Sequence, residues 1–429
     1  MKKKLIYAAA VLIGMFTAGC DEMDQYPHNG VSPDNLTEND AQLLLTGLYN
    51  FCQYKPTNNG YIIGDMAGGD IVGGTSSNFT IPALIIQDRI SPQGGMISGP
   101  WNGYYTGLYQ FNTFIKSLRG MPATQSRNEM LGTACFFRGL YYYRLVTGWG
   151  AVPILDEPFN GAIASSPEED VWAFVESNFQ TAIDYCPSFS NKNYVSRQAA
   201  IAMMARTKLG QGKMAEAAKL AEQLIADSHF RLSDFYQTFN GGSQEEIFTF
   251  SNLEDENGIH LGALFYNRAH PNGGSYTFRP TDEVMNMFEE NDNRKAASVI
   301  TIDGSPMCNK FPGGELKTDP LIITRLAEMY LISAEAQGRS AGIGRLNELR
   351  AVRGLGPVSA ASDEEYISLI LDERRHELFG EGFRHFDLVR TGRYCQTVGV
   401  EERFKQFPIP ERELTNNKLL VQNPLWATY

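Results

Sequence analysis

The sequence predicts a mainly α-helical protein, a helical-repeat scaffold joined to an irregular, loop-rich half. Three observations carry that reading. Apolar side chains recur at helical spacing through most of the chain. Residues 196–227 place small side chains on two successive helices separated by a glycine turn. Two glycine-rich stretches, 56–100 and 251–320, interrupt the periodicity. Composition agrees. The chain has 429 residues, enough for two domains or one large one and for a core that needs no disulfide or structural metal. Hydrophobic residues make 43% and charged residues 20%, which excludes a disordered or fibrous protein. With 37 basic against 49 acidic side chains the net charge is −12, so no nucleic-acid partner is expected. Aromatics reach 11% and glycines number 41, a mixture that suits aromatic-rich surfaces built on loops, although most rings belong to the core.

The N-terminus reads as an address. Three lysines after Met1 precede Leu5–Thr17, an uncharged apolar run of 13 residues. A spanning helix needs about 20, so this is a secretory segment. It ends in Thr17-Ala18-Gly19-Cys20, which resembles a lipobox, with Cys20 lipidated after removal of residues 1–19. The mature chain then carries 34 basic against 49 acidic side chains, a net of −15. Asp21, Glu22 and Asp24 resemble the signal that carries some Gram-negative lipoproteins to the outer face of the outer membrane. Residues 20–38 follow as a lipidated, solvated tether rich in Asp, Asn, Pro and Ser. Cys52, Cys135, Cys186, Cys308 and Cys395 show no C-x-x-C spacing, so buried single thiols are expected rather than a zinc site or a disulfide framework.

The helices come next, in chain order. Residues 39–53 carry Leu43, Leu44, Leu48 and Phe51 on one side. Trp101, Tyr105, Leu108, Asn112 and Ile115 share a helix face, and Leu131, Cys135, Arg138, Tyr142 and Leu145 repeat that spacing before Gly148 and Pro153 stop it. Ser166-Pro167-Glu168-Glu169 opens another helix reaching Cys186. If these two helices form a hairpin, Cys135 and Cys186 lie toward the same end. Within 196–227, Ala202, Ala205, Gly212, Ala217 and Ala221 resemble a tetratricopeptide helix pair, because closely packed helices leave room only for small side chains. A second pair is expected at 321–338 and 343–353, with a further helix at 363–380.

Five ordered motifs carry a resemblance to a known family. Phe136-Phe137-Arg138-Gly139-Leu140-Tyr141-Tyr142-Tyr143-Arg144-Leu145 with Trp149-Gly150-Ala151-Val152-Pro153 is the first, and the 196–227 pair the second. Arg325 to Ala336, the run Asp372 to Arg390, and Phe407-Pro408-Ile409-Pro410 with Gln422-Asn423-Pro424 complete the set. Together they resemble the SusD/RagB family across nearly all of the mature chain. That resemblance implies about four tetratricopeptide-like helix pairs scaffolding an irregular ligand-binding half. The N-terminal region would span 39–230 and the C-terminal region 231–429, integrated in one fold. It implies a surface lipoprotein without enzymatic activity or cofactor, capping a SusC-like TonB-dependent transporter and capturing oligosaccharides or, in some members, peptides. A tetratricopeptide module that binds proteins is the rival from another class.

The residues set limits on the chemistry. Glu373 and Glu377 stand one turn apart among Arg374, Arg375, Arg384 and Arg390, and read as helix-face ion pairs rather than a catalytic pair. His376 and His385 lack HExxH spacing, and no calcium loop is present, so no metal is expected. Sugar capture needs flat rings against pyranose faces and Asn, Asp, Arg or His for the hydroxyls. Candidates in the first glycine-rich stretch are Tyr61, Asp65, Asp70, Asn78, Phe79 and Arg89, with Trp101 and Asn102 beyond it. The second stretch offers His260, Phe265, Tyr266, Arg268, His270, Tyr276 and Phe278. Trp101 and Phe278 lean towards the core, Tyr266 and Phe79 towards the site.

Overall fold

A computed structural model describes residues 36–427, except 76, 255 and 257. Cys20, the leader and most of the tether lie outside the described residues.

The scaffold begins with α1 (Glu38–Tyr54), α2 (Asn58–Ala67) and α3 (Pro82–Arg89). It continues through α4 (Gly95–Gly120), α5 (Gln125–Trp149), α6 (Glu168–Tyr185), α7 (Arg197–Gly210) and α8 (Met214–Ile225). After an irregular passage it resumes with α9 (Leu326–Val352), α10 (Asp363–Leu378) and α11 (Arg384–Arg390). From α4 to α8 each helix packs on the next; α9 then continues the stack against α8, and α10 against α9. The irregular passage is therefore an excursion from a continuous helical stack, the tetratricopeptide-like arrangement expected from the small residues. Ala202, Ala205, Ala217 and Ala221 are all fully buried between α7, α8 and their neighbours.

Local chemistry sets the helix starts. Thr37 and Asp40 form a reciprocal capping box on α1: the Thr37 hydroxyl accepts from Asp40 N at 3.2 Å and Asp40 accepts from Thr37 N at 3.1 Å. Ser196 caps α7 and Ser362 caps α10 in the same sense. Helix α6 differs from expectation. Pro167 takes the cap position, and Ser166 instead donates its backbone N–H to Val152.

Three antiparallel strand pairs brace the rest: β1 (Ile71–Gly73) with β3 (Phe278–Pro280), β2 (Glu246–Phe250) with β6 (Leu321–Arg325), and β4 (Val299–Ile302) with β5 (Ser305–Cys308). Residues 321–325, expected to be helical, form β6. Ile322, Ile323 and Thr324 favour a pleat, and β2 offers a partner. Gly338, at φ 72°, breaks α9 where the pair boundary was expected.

The first glycine-rich stretch is largely helical, which corrects its reading as an extended loop. A Cβ on Gly60 would overlap Pro56, one on Gly64 the Gly382 carbonyl, and one on Gly68 the Arg384 side chain. The glycines form a close-packing face on and just beyond α2. The core is aromatic as expected. Phe136, Phe137, Tyr141 and Tyr142 of α5 are buried, and Phe137 meets Tyr49, Phe111, Phe248 and Phe250. The five described cysteines are free thiols, and Cys186 packs against Gly132, one turn before Cys135.

Candidate functional site

Most charged side chains of the run Asp372 to Arg390 are buried or half-buried, and most of their ion pairs reach other elements instead of decorating a helix face. Glu377 receives Arg353, Arg325 and Arg294; Glu373 receives Arg294 and Arg350; Glu381 receives Lys310 and Arg325. Burial alone would raise Glu377, yet Arg353 and Arg325 hold its carboxyl well below the usual range. Glu373, Glu377, Glu381 and Asp387 are each engaged by cations, while Asp372 stands exposed to solvent. The cluster is a joint between scaffold and irregular half and lacks the proton-accepting freedom of a general acid or base.

Several expected ligand residues belong to the same joint. Asp65 is buried and accepts from Gly382 N at 2.8 Å. Burial and its neighbour Asp70 push the Asp65 carboxyl well above the usual range. Asp70, also buried, accepts from Arg375 Nε at 2.8 Å. Both are corrected from site to joint, because they lock the first glycine-rich stretch onto α10 and the Gly382 turn.

The rings divide similarly. Trp101 packs against Trp149 and Tyr105 in the core. Phe265 is stacked on Phe311 and inaccessible. Tyr266 is 0% exposed: its ring stacks on His270 at 3.5 Å and its hydroxyl donates to Asn309 at 3.0 Å. Leaning Tyr266 towards the site is thus overturned and Phe265 is corrected with it, whereas Trp101, although a site candidate, lies in the core towards which it leaned. Phe278 and Tyr61 are core as well. His260 is half-buried, its Nδ1 2.8 Å from the Gly258 carbonyl.

What remains accessible has a common setting. Pairing of β1 with β3 zips the two stretches together, extended by Gly74 N to Thr277 O at 3.0 Å. A 3-10 turn over Ser77–Phe79 lies against β1 and α3. There the Arg89 guanidinium sits 5.4 Å from the half-buried Phe79 ring. Across the pairing Tyr276, half-buried, is held at φ 50°, rare for a bulky residue. Its N–H donates to Tyr266 O at 2.9 Å and its hydroxyl to Pro306 O at 3.1 Å. Asn78 and Arg268 are exposed and His270 half-exposed; Asn102 is exposed on α4, the residue after buried Trp101. Phe79 and Arg89 on one side of the pairing and Tyr276 on the other therefore build a ring-and-guanidinium surface.

Sequence reading missed Tyr236, a ring 56% exposed on the short helix whose Phe235 and Phe239 pack against Lys310 and Arg325 of the joint. Its signal is phase: Phe235 and Phe239, one turn apart, are buried, so Tyr236 must face outward. Among the described residues no group of three or more metal-ligating side chains occurs, and no helix is long and apolar enough to cross a membrane.

Known proteins share this architecture and its motifs. The SusD family profile matches residues 231–406, and a profile described as starch-binding associating with outer membrane matches residues 32–209. The chain belongs to the SusD family. This SusD family protein is 22% identical to SusD-like protein P25 of Formosa agariphila, over 94% of this chain and 95% of that one. Its fold is similar to a laminarin-binding SusD-like protein, with TM-score 0.77, 23% identity, and coverage of 91% of this chain and 100% of the other. It is equally similar to surface glycan-binding protein A from Bacteroides fluxus, at TM-score 0.78, 22% identity, and coverage of 91% and 100%.

Proposed function

We propose that this SusD family protein is a surface-exposed lipoprotein that captures oligosaccharides without transforming them. It delivers them, as a lid, to a SusC-like TonB-dependent transporter in the outer membrane. One observation carries the reading: the accessible face pairs rings with hydrogen-bonding side chains, whereas the carboxylates nearest to a catalytic arrangement are neutralised in a buried joint. Glycoside hydrolysis needs two carboxyl groups about 5–10 Å apart across a sugar cleft, and Asp65 and Asp70 are withdrawn from any such role. The matched starch-binding profile, the laminarin-binding SusD-like protein and surface glycan-binding protein A support a glycan as the ligand class.

The test is binding without turnover. Purified full-length protein, titrated with maltohexaose, laminarihexaose and a panel of other neutral and acidic oligosaccharides, should give saturable heat and return each sugar intact. Gentle detergent extraction should bring down a large TonB-dependent barrel protein. Shortened sugars, or a response confined to peptides, would overturn the reading.

A further inference from the structure

Two concavities lie on the helical side, away from the loop face. One cleft of about 470 Å³ opens between α1, the start of α5 and the segment 187–195. A second hollow of about 600 Å³ opens between the start of α5 and the end of α6. Glu129 and Pro187 line both, so the two adjoin and together make a two-part groove. Such volumes are in the range of ligand sites.

An exposed tyrosine stands in each part. Tyr194 is 61% exposed and Tyr185 41%. Exposure alone means little, but Tyr194 is rigidly held. Its ring meets Tyr49 edge-on at 6.0 Å, and Tyr49 is anchored in turn against Phe137 of the core at 4.9 Å. The Tyr49 hydroxyl accepts from Val195 N at 2.8 Å. On the other side Asn193 donates to Thr249 O at 3.2 Å, and Lys192 O accepts from Thr249 N at 2.9 Å. Four ties thus fix a solvent-facing ring, which removes most of the ordering entropy that a ligand would otherwise oppose.

The groove's polar lining matches the ring. Gln42 and Asn50 stand exposed on α1 beside Tyr194, and Asn128 and Glu129 lie between the two tyrosines on α5. Amides donate and accept at once, as sugar hydroxyls require. Glu129, Asp184 and Glu256 outnumber Arg197 in the lining, a negative excess that disfavours an acidic polymer.

We propose that this groove is a second carbohydrate-binding site, for a neutral oligosaccharide stacked on Tyr194 and Tyr185. The ligand class rests on the glycan reading above; the location does not. Two separated sites on one chain would hold a polymer at two points, so that release from one leaves it at high local concentration near the other.

Hydrogen–deuterium exchange of the full chain with maltohexaose or laminarihexaose reads both sites separately. The expected result is protection over 125–129 and 187–195 in addition to 74–89. Tyr194→Ala should weaken groove binding about tenfold, so that protection of the first two requires about tenfold more sugar, and should spare the third. Tyr194→Phe, which keeps the ring, should bind within about threefold of wild type. Protection confined to 74–89, with Tyr194→Ala unchanged, overturns the groove and leaves the loop face standing. Equal losses in Tyr194→Phe and Tyr194→Ala overturn the stacking. No protection anywhere, with no heat at millimolar sugar, overturns both readings for gluco-oligosaccharides.

Discussion

Arg353 and Glu377 meet in full burial as a bidentate pair, Nε to Oε2 at 3.0 Å and Nη2 to Oε1 at 2.8 Å. Arg353 also reaches Glu245, and Glu377 reaches Arg294 and Arg325, so four separate chain segments meet at one carboxylate. Removing that carboxylate takes an anion from three buried guanidinium groups at once, leaving Arg353 with Glu245, Arg325 with Glu245 and Glu381, and Arg294 with Asp292 and Glu373. Glu377→Ala should therefore cost about 3–5 kcal/mol, read as a lower denaturant midpoint. An unchanged midpoint would mean that water screens the joint.

Tyr266→Ala and Phe79→Ala should separate core from surface. Tyr266 is fully enclosed, and its deletion should destabilise the fold by about 3–5 kcal/mol. Phe79, half-buried beneath Arg89, should tolerate the change with a small loss of melting temperature while glycan binding falls about tenfold. Calorimetry with the panel sugars checks the binding arm. Wild-type affinity in a folded Phe79→Ala variant would remove this face from the binding surface.

Gly64→Ala should destabilise by about 1–3 kcal/mol, although alanine is the better helix former. The added methyl would strike the Gly382 carbonyl, which belongs to backbone and has little room to yield. Chemical unfolding measures it, with Gly47→Ala as the control, since a Cβ there meets nothing within 4 Å.

His385 sets a pH dependence. Burial lowers its pKa from 6.5 to about 4, and Nε2 lies 2.9 Å from the Phe404 carbonyl, the geometry of a neutral donor. Between those values the unfolded chain takes up a proton that the folded chain refuses. Its contribution is thus complete above about pH 6.5 and is lost as pH falls towards 4, about 2 kcal/mol between pH 7 and pH 5. Asp319 works in the opposite sense: burial raises it from 3.8 to about 6, so folding gains from acid in that interval. The measurement is consequently a comparison of melts at the two pH values. His385→Gln should lose less stability than wild type between them; equal losses would show that His385 is not the group responsible.

Cys20→Ala should move the protein from the membrane fraction to the soluble fraction, because a lipid chain contributes about 0.8 kcal/mol per buried methylene and the variant has none. Retention of the variant in washed membranes would refute lipidation at this residue.

How much was legible depends on how far apart the deciding residues stand. The helix carrying Leu131, Cys135, Arg138, Tyr142 and Leu145 declares itself within its own span, and the alanines at 202, 205, 217 and 221 declare a close partner. Both signals are local, so a periodic reading finds them. The structural role of the charged run was legible too, but not its partners. Arg294 and Arg325 reach Glu377 from 83 and 52 residues away, and nothing near Glu377 announces them.

By itself the sequence determined the helical scaffold, the break at Gly338 and the family, because periodicity and motif order are written in consecutive residues. Only the tertiary structure decided which loop side chains stay in water. Asp70 disappears beneath Arg375, 305 positions later, and Tyr266 is sealed by His270 and Asn309. Tyr194 remains outside because Tyr49, 146 positions from Val195, pins the segment that carries it. Accessibility is a property of what packs on a residue, and in irregular segments no local period foretells that neighbour.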